Sequence, residues 1–301
     1  MSADFSIGAF EEGDFDRLAR LFSREFQADD KLLSAAYTKW LYADNPHGPA
    51  QIVRASEDGE WVGFLAAIPV RLAREGTQRT AYYVVNVLVD PAQRGKKVFD
   101  RMIEVAAAHA QSEGAMLMGH PNPAAMGAWR RAKMRFQAPL KATIATPTAI
   151  FRPQLRREAV AEARRLALSV ELYNARTSHA SKWRLLLTTD YLDWRFLRHP
   201  TNHYRLTDIS NGDEPLGFIV TKRLRSFLHL MIDDFMLDDF GGAGFVSAPF
   251  ATVVFVTEAV GAASHELLPC PVRKEIPYFC TAFGDDAGEH SFRLGLSATD
   301  F

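Results

Sequence analysis

A short apolar strand at residues 87–89 runs through a basic turn directly into an amphipathic helix, and this junction constrains the fold more than any other stretch. Residues 87–99 read VLVDPAQRGKKVF. The first turn of a helix exposes unpaired backbone N–H groups and carries partial positive charge, so Arg94, Lys96 and Lys97 favour an anionic ligand group there. The pattern predicts a diphosphate cradle. The alternative is a solvated turn whose basic residues serve only solubility.

The residues that follow predict a helix, a strand and a second helix. Apolar residues recur at helical spacing over residues 96–111, and Gly114 ends that helix. Residues 115–119 form an apolar run that is typical of a buried strand, which is broken at His120. The second helix is expected over residues 124–133. The segment is therefore predicted to be an α/β unit built around the basic turn.

The composition of the turn excludes two common phosphate loops. A mononucleotide P-loop requires Gly-x-x-x-x-Gly-Lys-Ser/Thr and a dinucleotide fold requires Gly-x-Gly-x-x-Gly, and the turn contains neither. Arg94 and Gly95 instead resemble the acyl-CoA loop of the GNAT acyltransferase superfamily, whose pattern is Gln/Arg-x-x-Gly-x-Gly/Ala. The resemblance covers about residues 80–137. The turn departs from the pattern at Lys97 and Phe99, where the family has small residues.

The GNAT resemblance implies acetyl-CoA or another acyl-CoA as co-substrate. It implies that the pantetheine arm pairs with the fourth strand of the sheet, where a backbone N–H polarises the thioester carbonyl. It also implies that the backbone N–H groups of the turn hold the diphosphate. The cofactor-binding residues expected on this basis are Val87, Leu88, Val89, Arg94, Gly95, Lys96, Lys97, Val98, Phe99 and Asn122.

Acyl transfer to an amine requires a base for the ammonium proton, and His120 and Tyr83 are the catalytic candidates. An imidazole with a pKa near 6.5 suits that task. The alternatives are a histidine that only caps a turn and a tyrosine that belongs to the core. The resemblance places Arg131 where the family often has a tyrosine acid, so no acid for the leaving thiolate is assigned.

Tyr42, Asn45 and Asn86 are the candidates for binding the acceptor. The resemblance assigns the segment around Trp40, Tyr42 and Asn45 to the acceptor, and aromatic faces could stack on a sugar or a base. The alternative for Trp40 and Tyr42 is a structural role, because aromatic residues recur at the matching positions later in the chain.

An internal repeat predicts a second domain. Six residues recur 154 positions later: Tyr37, Trp40, Tyr42, Pro46, Gly63 and Phe64 as Tyr191, Trp194, Phe196, Pro200, Gly217 and Phe218. A period this long is typical of a duplicated domain. We predict an α/β chain of two tandem GNAT-like domains, residues 1–150 and 151–301, each a mixed, mostly antiparallel twisted sheet flanked by helices.

The second copy is expected to lack the cofactor. Its counterpart of the basic turn, residues 239–245, is rich in glycine but contains neither Arg nor Lys. We therefore predict that this copy is a scaffold or one wall of the acceptor pocket. A charged helix is expected between the copies, over residues 155–172.

Composition narrows the class of protein. The formal net charge of −1 disfavours nucleic acid as a partner. The chain has no apolar run of 18 residues and no signal-peptide pattern at its start, which favours a cytoplasmic protein without a membrane span. Cys270 and Cys280 lack CxxC spacing, so neither a metal site nor a disulfide framework is expected. Monomer and dimer both stay open.

The sequence therefore predicts an enzyme that transfers an acyl group from acyl-CoA to the primary amine of a small molecule, such as an amino sugar. Two alternatives stay open. One is a non-catalytic acyl-CoA-binding or scaffold protein, and the other is a peptidyl transferase that uses aminoacyl-tRNA. The near-neutral charge and the turn at Arg94 count against the second alternative.

Overall fold

The computed structural model describes residues 3–27, 30–137, 139–145, 155–159, 163–177, 183–211, 213–225, 228–236, 251–256, 267–269 and 275–281. The elements, in chain order, are β1 (Asp4–Ala9), α1 (Asp14–Phe22), α2 (Ala35–Tyr42), β2 (Gln51–Glu57), β3 (Glu60–Arg74), β4 (Thr77–Val89), α3 (Val98–Ser112), β5 (Met116–Gly119), α4 (Met126–Arg131), β6 (Leu140–Ala145), β7 (Leu155–Ala159), α5 (Ala163–Thr177), β8 (Arg184–Leu185), α6 (Thr189–Leu192), β9 (Tyr204–Asn211), β10 (Glu214–Arg225), β11 (Leu228–Met236), β12 (Ala251–Val256), β13 (Leu267–Pro269), β14 (Glu275–Ile276) and β15 (Phe279–Thr281).

The first sheet has the strand order β1, β2, β3, β4, β5 and β15, with β8 beside β3. Its pairs are antiparallel except for β4 and β5, which are parallel. β3 is buried along nearly all of its length, as expected of a strand covered on both faces.

The second sheet has the order β13, β6, β12, β11, β10, β9 and β7, with β14 beside β6. Only β11 and β12 are parallel. Mixed, mostly antiparallel sheets with flanking helices confirm the predicted α/β class.

Three strands lie in the sheet other than the one that their chain position suggests. One of them is β8, which belongs to the second half of the chain but pairs with β3 of the first sheet, Leu185 opposite Leu72. β6 follows α4 in the chain but pairs with β12 of the second sheet, Thr143 opposite Val254. β15 follows the strands of the second sheet but pairs with β5 of the first, Phe279 opposite Gly119. Each half of the chain therefore supplies a strand to the sheet of the other half, and β6 does so although it precedes residue 150.

The first sheet has an apolar layer on each face. One layer packs beneath α3 and α4 and includes Met102, Ile103, Leu117, Trp129 and Phe279. The other layer includes side chains of both halves of the chain, among them Phe22, Tyr42, Phe64, Trp183, Trp194 and Phe218. The two halves therefore share one continuous core.

Glycine at position 63 allows α3 to lie close against β3. A Cβ atom at Gly63 would lie 3.0 Å from Sδ of Met102 and 3.1 Å from Cγ1 of Val98. Any side chain there would push α3 away from the sheet, and with it the turn that precedes the helix.

The elements predicted around the basic turn are observed as α3, β5 and α4. The helix predicted over residues 155–172 is wrong in its first part, because residues 155–159 form β7 and the helix α5 begins only at Ala163. Pairing with β9 overrides the local helical pattern there. The glycine-rich turn at residues 239–245 and Cys270 lie outside the described residues, and Cys280 is a buried free thiol.

Candidate active site

The candidate site lies where β4 and β5 diverge. The two strands pair from Ala81 opposite Met116 to Val84 opposite Gly119, and no described strand pairs with β4 on that side beyond Val84. The backbone of residues 85–89 therefore borders an opening instead of a neighbouring strand.

A bulge in β4 shapes this opening. Phe64 pairs with Leu88, whereas Ala66 pairs with Val85, so β4 has one residue more than β3 between these two pairs. The extra residue bends the strand. Asn86 adopts a left-handed conformation at the bulge, with φ of 48°. Asparagine is one of the few residues with a side chain that enters this region readily.

The opening is a cavity of about 390 Å³. It lies between the end of β4, the start of α3, the end of β5 and α4. Its described lining consists of Phe26, Leu32, Tyr83, Val84, Val85, Asn86, Val87, Phe99, His120, Pro121, Asn122, Ala125, Trp129 and Phe279.

The turn between β4 and α3, which the sequence predicts to be a diphosphate cradle, leads directly into the first turn of α3. Asp90 accepts a hydrogen bond from the N–H of Ala92 and caps a short 3₁₀ turn. Gly95 and Lys97 then take left-handed conformations, with φ of 84° and 62°, and α3 begins at Val98. The first N–H groups of α3 have no carbonyl partner within the helix, as at any helix start.

The three basic side chains of the turn, those of Arg94, Lys96 and Lys97, are exposed. The guanidinium of Arg94 lies 2.7 Å from the carboxylate of Glu25, which follows α1. Neighbouring Arg24 forms an ion pair with Asp90. Two ion pairs therefore hold the turn against the segment after α1. In one of them, Glu25 binds the guanidinium of Arg94, the group that the sequence analysis assigned to the diphosphate.

His120 lies at the end of β5 with its two ring nitrogens in different settings. Nδ1 lies 3.0 Å from the carbonyl oxygen of Pro277, which can only accept, so Nδ1 carries the proton. Nε2 is buried and makes no hydrogen bond among the described residues. Burial lowers the pKa of His120 to about 4, although the contact with Pro277 opposes this change. The imidazole is therefore neutral at pH 7 and keeps a free lone pair on Nε2.

Tyr83 lies beside His120, with ring centroids 5.9 Å apart, and it also lines the cavity. Burial raises the pKa of the Tyr83 hydroxyl well above its usual value. Tyr83 therefore stays protonated at neutral pH, where it can donate a hydrogen bond but cannot take up a proton.

Asn86 reaches the cavity, whereas Tyr42 and Asn45 do not line it. Tyr42 is fully buried, and its hydroxyl accepts a hydrogen bond of 2.9 Å from Nδ2 of Asn86. Asn45 donates to the carbonyl of Pro69 at 2.8 Å and accepts from the N–H of His47 at 3.0 Å. Tyr42 supports a residue of the cavity, and Asn45 joins two segments of backbone.

The remaining predicted residues divide between the cavity and its entrance. Val87, Phe99 and Asn122 line the cavity. The side-chain oxygen of Asn122 accepts from the N–H of Ala125 at 2.8 Å. Leu88 and Val89 continue β4 towards the turn, and Val98 is buried beneath the first turn of α3.

Sequence reasoning missed much of the aromatic wall. Trp129 of α4 stacks on Phe279 of β15 with ring centroids 4.5 Å apart, and Phe26 lines the cavity from the segment after α1. Helical spacing could have suggested Trp129. No local pattern could have placed Phe279, which enters the site through the strand contributed by the second half of the chain.

The described residues contain no group of three His, Cys, Asp or Glu side chains arranged to hold a metal ion. Nor does the described part of the chain contain a helix that is long and apolar enough to cross a membrane.

Residues 6–127 match the family model described as an Acetyltransferase (GNAT) domain. This stretch is similar to GNAT acetyltransferases. It begins in β1 and ends in α4, so it contains β4, the basic turn, α3 and β5. A comparison with curated proteins finds no match.

Solved structures share this fold over nearly the whole chain. A GCN5-related N-acetyltransferase from Anabaena variabilis ATCC 29413 has a TM-score of 0.67 at 13% identity, covering 93% of this chain and 73% of that one. A "Probable N-Acyltransferase" from Enterococcus faecalis V583 has 0.65 at 11%, covering 93% and 73%. A GCN5-related N-acetyltransferase from Kribbella flavida has 0.64 at 14%, covering 93% and 71%. At 14% identity or less, these structures show a shared fold, and the match of residues 6–127 to the family model is what supports acyl transfer as the general activity.

Proposed function

We propose that the protein is an acyl-CoA-dependent N-acyltransferase that moves an acetyl or other acyl group to a primary amine of a small molecule. The observation that carries the proposal is the cavity at the divergence of β4 and β5, where an unpaired strand edge, the start of α3 and a neutral imidazole meet. GNAT domains use acyl-CoA as co-substrate, which gives this arrangement its donor.

The donor is proposed to lie along β4 and the basic turn. The pantetheine arm would hydrogen-bond to the free edge of residues 85–89, in the manner of an added strand. The diphosphate would lie against the N–H groups at the start of α3 with Arg94, Lys96 and Lys97 around it. Backbone donors suit the thioester carbonyl because they are fixed before the reaction begins.

His120 is proposed as the base. The amine nitrogen attacks the thioester carbonyl carbon, Nε2 of His120 takes the proton that the amine loses, and the C–S bond then breaks. That proton passes to the leaving thiolate, directly or through water, so the products are an amide and the CoA thiol. The protonated hydroxyl of Tyr83 would donate a hydrogen bond to the bound substrate in the same cavity.

We further infer that the chain is a tandem of two GNAT-like domains, residues 1–150 and 151–301, of which the first binds the donor. The pairing of β9, β10, β11 and β12 repeats that of β2, β3, β4 and β5, including the single parallel pair. Nε1 of Trp40 donates to the carbonyl of Trp194 at 2.9 Å, and Nε1 of Trp194 donates to that of Trp40 at 2.8 Å. Reciprocal contacts between repeat-related residues support a duplication with approximate two-fold symmetry.

Thermal unfolding with free CoA and acetyl-CoA tests the donor site. A ligand at 100 times its dissociation constant adds about 2.7 kcal/mol to the free energy of unfolding, which raises the midpoint by several degrees. Arg94→Glu should abolish the shift. Glu25→Gln should strengthen binding by up to about fivefold, because it releases an exposed ion pair worth at most about 1 kcal/mol.

Arg101→Glu is the matched control, since Arg101 lies exposed on α3 and pairs only with Glu104 within its own helix in the described structure. It changes the net charge as Arg94→Glu does, and should leave CoA binding intact. If Arg94→Glu and Arg101→Glu lost CoA affinity equally, the loss would be a long-range effect of net charge and not evidence for a contact between Arg94 and CoA. A wild-type protein that no CoA compound stabilises would remove the acyltransferase proposal.

A further inference from the structure

The described wall of the cavity carries no formal charge. None of its lining residues is Asp, Glu, Lys or Arg. His120 is the single titratable side chain there with a pKa below neutrality, about 4, and is therefore neutral at pH 7. A carboxylate, phosphate or second ammonium group that entered this space would lose water without gaining a charged partner, which is strongly unfavourable.

Most of the wall is instead aromatic or aliphatic. Phe99 meets Trp129 edge to face with centroids 6.1 Å apart, and Trp129 stacks on Phe279. Phe26 and Leu32 line the cavity from the segment between α1 and α2. Such surfaces favour apolar groups and aromatic rings.

The polar lining groups lie on two neighbouring stretches of chain. Asn86 belongs to the bulge of β4, whereas His120 and Asn122 follow β5. A ligand with one reactive polar end and an apolar body matches this division, with its reactive end near His120 and its body against the apolar side chains that include Phe26 and Leu32.

We infer that the cavity selects an uncharged, apolar group of at least the size of a short alkyl chain or a phenyl ring. This inference rests on the proposed acyltransferase function and names its substrate class. The group is supplied either by the body of a monoamine acceptor or by an acyl chain longer than acetyl. Amino sugars and polyamines fit the cavity less well, since their bodies are polar or carry further charges.

Two arms of one experiment distinguish the two sources of the apolar group, the acyl chain of the donor and the body of the acceptor. In the donor arm, calorimetry compares the dissociation constants of free CoA, acetyl-CoA and hexanoyl-CoA. In the acceptor arm, release of the CoA thiol from acetyl-CoA is followed with 2-phenylethylamine, glucosamine and spermidine. A preference of at least tenfold for hexanoyl-CoA assigns the apolar group to the donor, and the same preference for 2-phenylethylamine assigns it to the acceptor.

Phe26→Ala should reduce that preference about tenfold while free CoA still binds, because Phe26 lines the cavity from the segment after α1 and is not one of the expected cofactor-binding residues. Phe136→Ala is the matched control: the Phe136 ring packs on Phe279, at 6.2 Å, but does not line the cavity. It should preserve the preference. Suppose that free CoA binds, that all acyl-CoAs bind with the same affinity, and that glucosamine or spermidine reacts as well as 2-phenylethylamine. That result would overturn this inference and leave the proposed function in place. Absence of any CoA binding would overturn the proposed function beneath it.

Discussion

At the scale of single residues, the environment of His120, the proposed base, gives the expected pH dependence of the proposed reaction. An imidazole whose pKa is about 4 becomes protonated, and so unable to act as a base, only when the pH falls to about 4. An ordinary histidine would be protonated near pH 6.5. After correction for the free-base fraction of the amine, kcat/KM should therefore be constant from pH 8 to pH 5 and fall as the pH approaches 4. A pH–rate profile on the purified enzyme measures this.

Variants of His120 separate a base from a positioning group. His120→Gln keeps a donor for the carbonyl of Pro277 but cannot take up a proton, so kcat should fall about 100-fold, within the usual range for general base catalysis. Affinity for acyl-CoA should stay the same. His203→Ala is the control, because His203 is exposed and outside the cavity lining. A Gln variant with nearly full turnover would leave His120 with a structural role only.

The residue types of the site were predictable, whereas their partners were not. Arg94 and His120 stand out because their chemistry and their place after a strand are local features of the sequence. Glu25 lies 69 residues from Arg94, and Pro277 lies 157 residues from His120. Such distant pairs depend on the assembled fold, and no periodicity encodes them. For this reason the sequence could not reveal the ion pair of Arg94 or the protonated nitrogen of His120.

At the scale of secondary structure, the bulge of β4 shapes the candidate site, and Asn86 lies at the bulge in a left-handed conformation. A left-handed conformation costs an ordinary L-residue about 1–2 kcal/mol, and a β-branched residue is the least suited to it. Asn86→Val should therefore straighten β4 and weaken acyl-CoA binding about tenfold or more. Asn86→Gly accepts the same φ and should retain most of the affinity. Calorimetric titration with acetyl-CoA compares the two variants.

Tyr42→Phe tests the support beneath that bulge. It removes only the hydroxyl to which Asn86 donates, and because Asn86 is half-buried at the cavity, losing this hydrogen bond costs about 0.5–1.5 kcal/mol. The affinity of the Tyr42→Phe variant for acyl-CoA should lie between the affinities of the Asn86→Gly and Asn86→Val variants. If the Val variant bound acyl-CoA as tightly as the wild type, the left-handed residue would have no part in shaping the donor site.

The elements themselves were largely predictable, but their assignment to sheets was not. Helical spacing locates α3 to within two residues at its start, since one face of that helix packs on the sheet throughout its length. β7 and β15 are short strands at the edges of their sheets, and β6 is a short strand between β13 and β12, so all three are defined by their partners. For β7 the charged composition indicated a helix, and pairing with β9 decided otherwise.

At the scale of the whole molecule, the exchange of β6 and β15 couples the two halves. β15 carries Phe279 into the cavity and follows the Pro277 carbonyl that fixes His120, so the first half cannot form its site without the end of the described chain. The paired indoles of Trp40 and Trp194 lie in the core that the halves share. Folding of one half without the other would leave edge strands and this apolar layer exposed.

We therefore expect one cooperative unfolding transition for the entire chain. In urea, circular dichroism and the loss of acetyl-CoA binding should share one midpoint, because coincident probes indicate a two-state change. Trp40→Phe and Trp194→Phe each leave a buried carbonyl without its donor, and each should lower the stability of that single transition by about 1–3 kcal/mol. Because each indole positions the other, the loss in the double variant should differ from the sum by at least about 0.5 kcal/mol. Two separate transitions, with acetyl-CoA affecting only the first half, would show that the exchanged strands leave the halves independent.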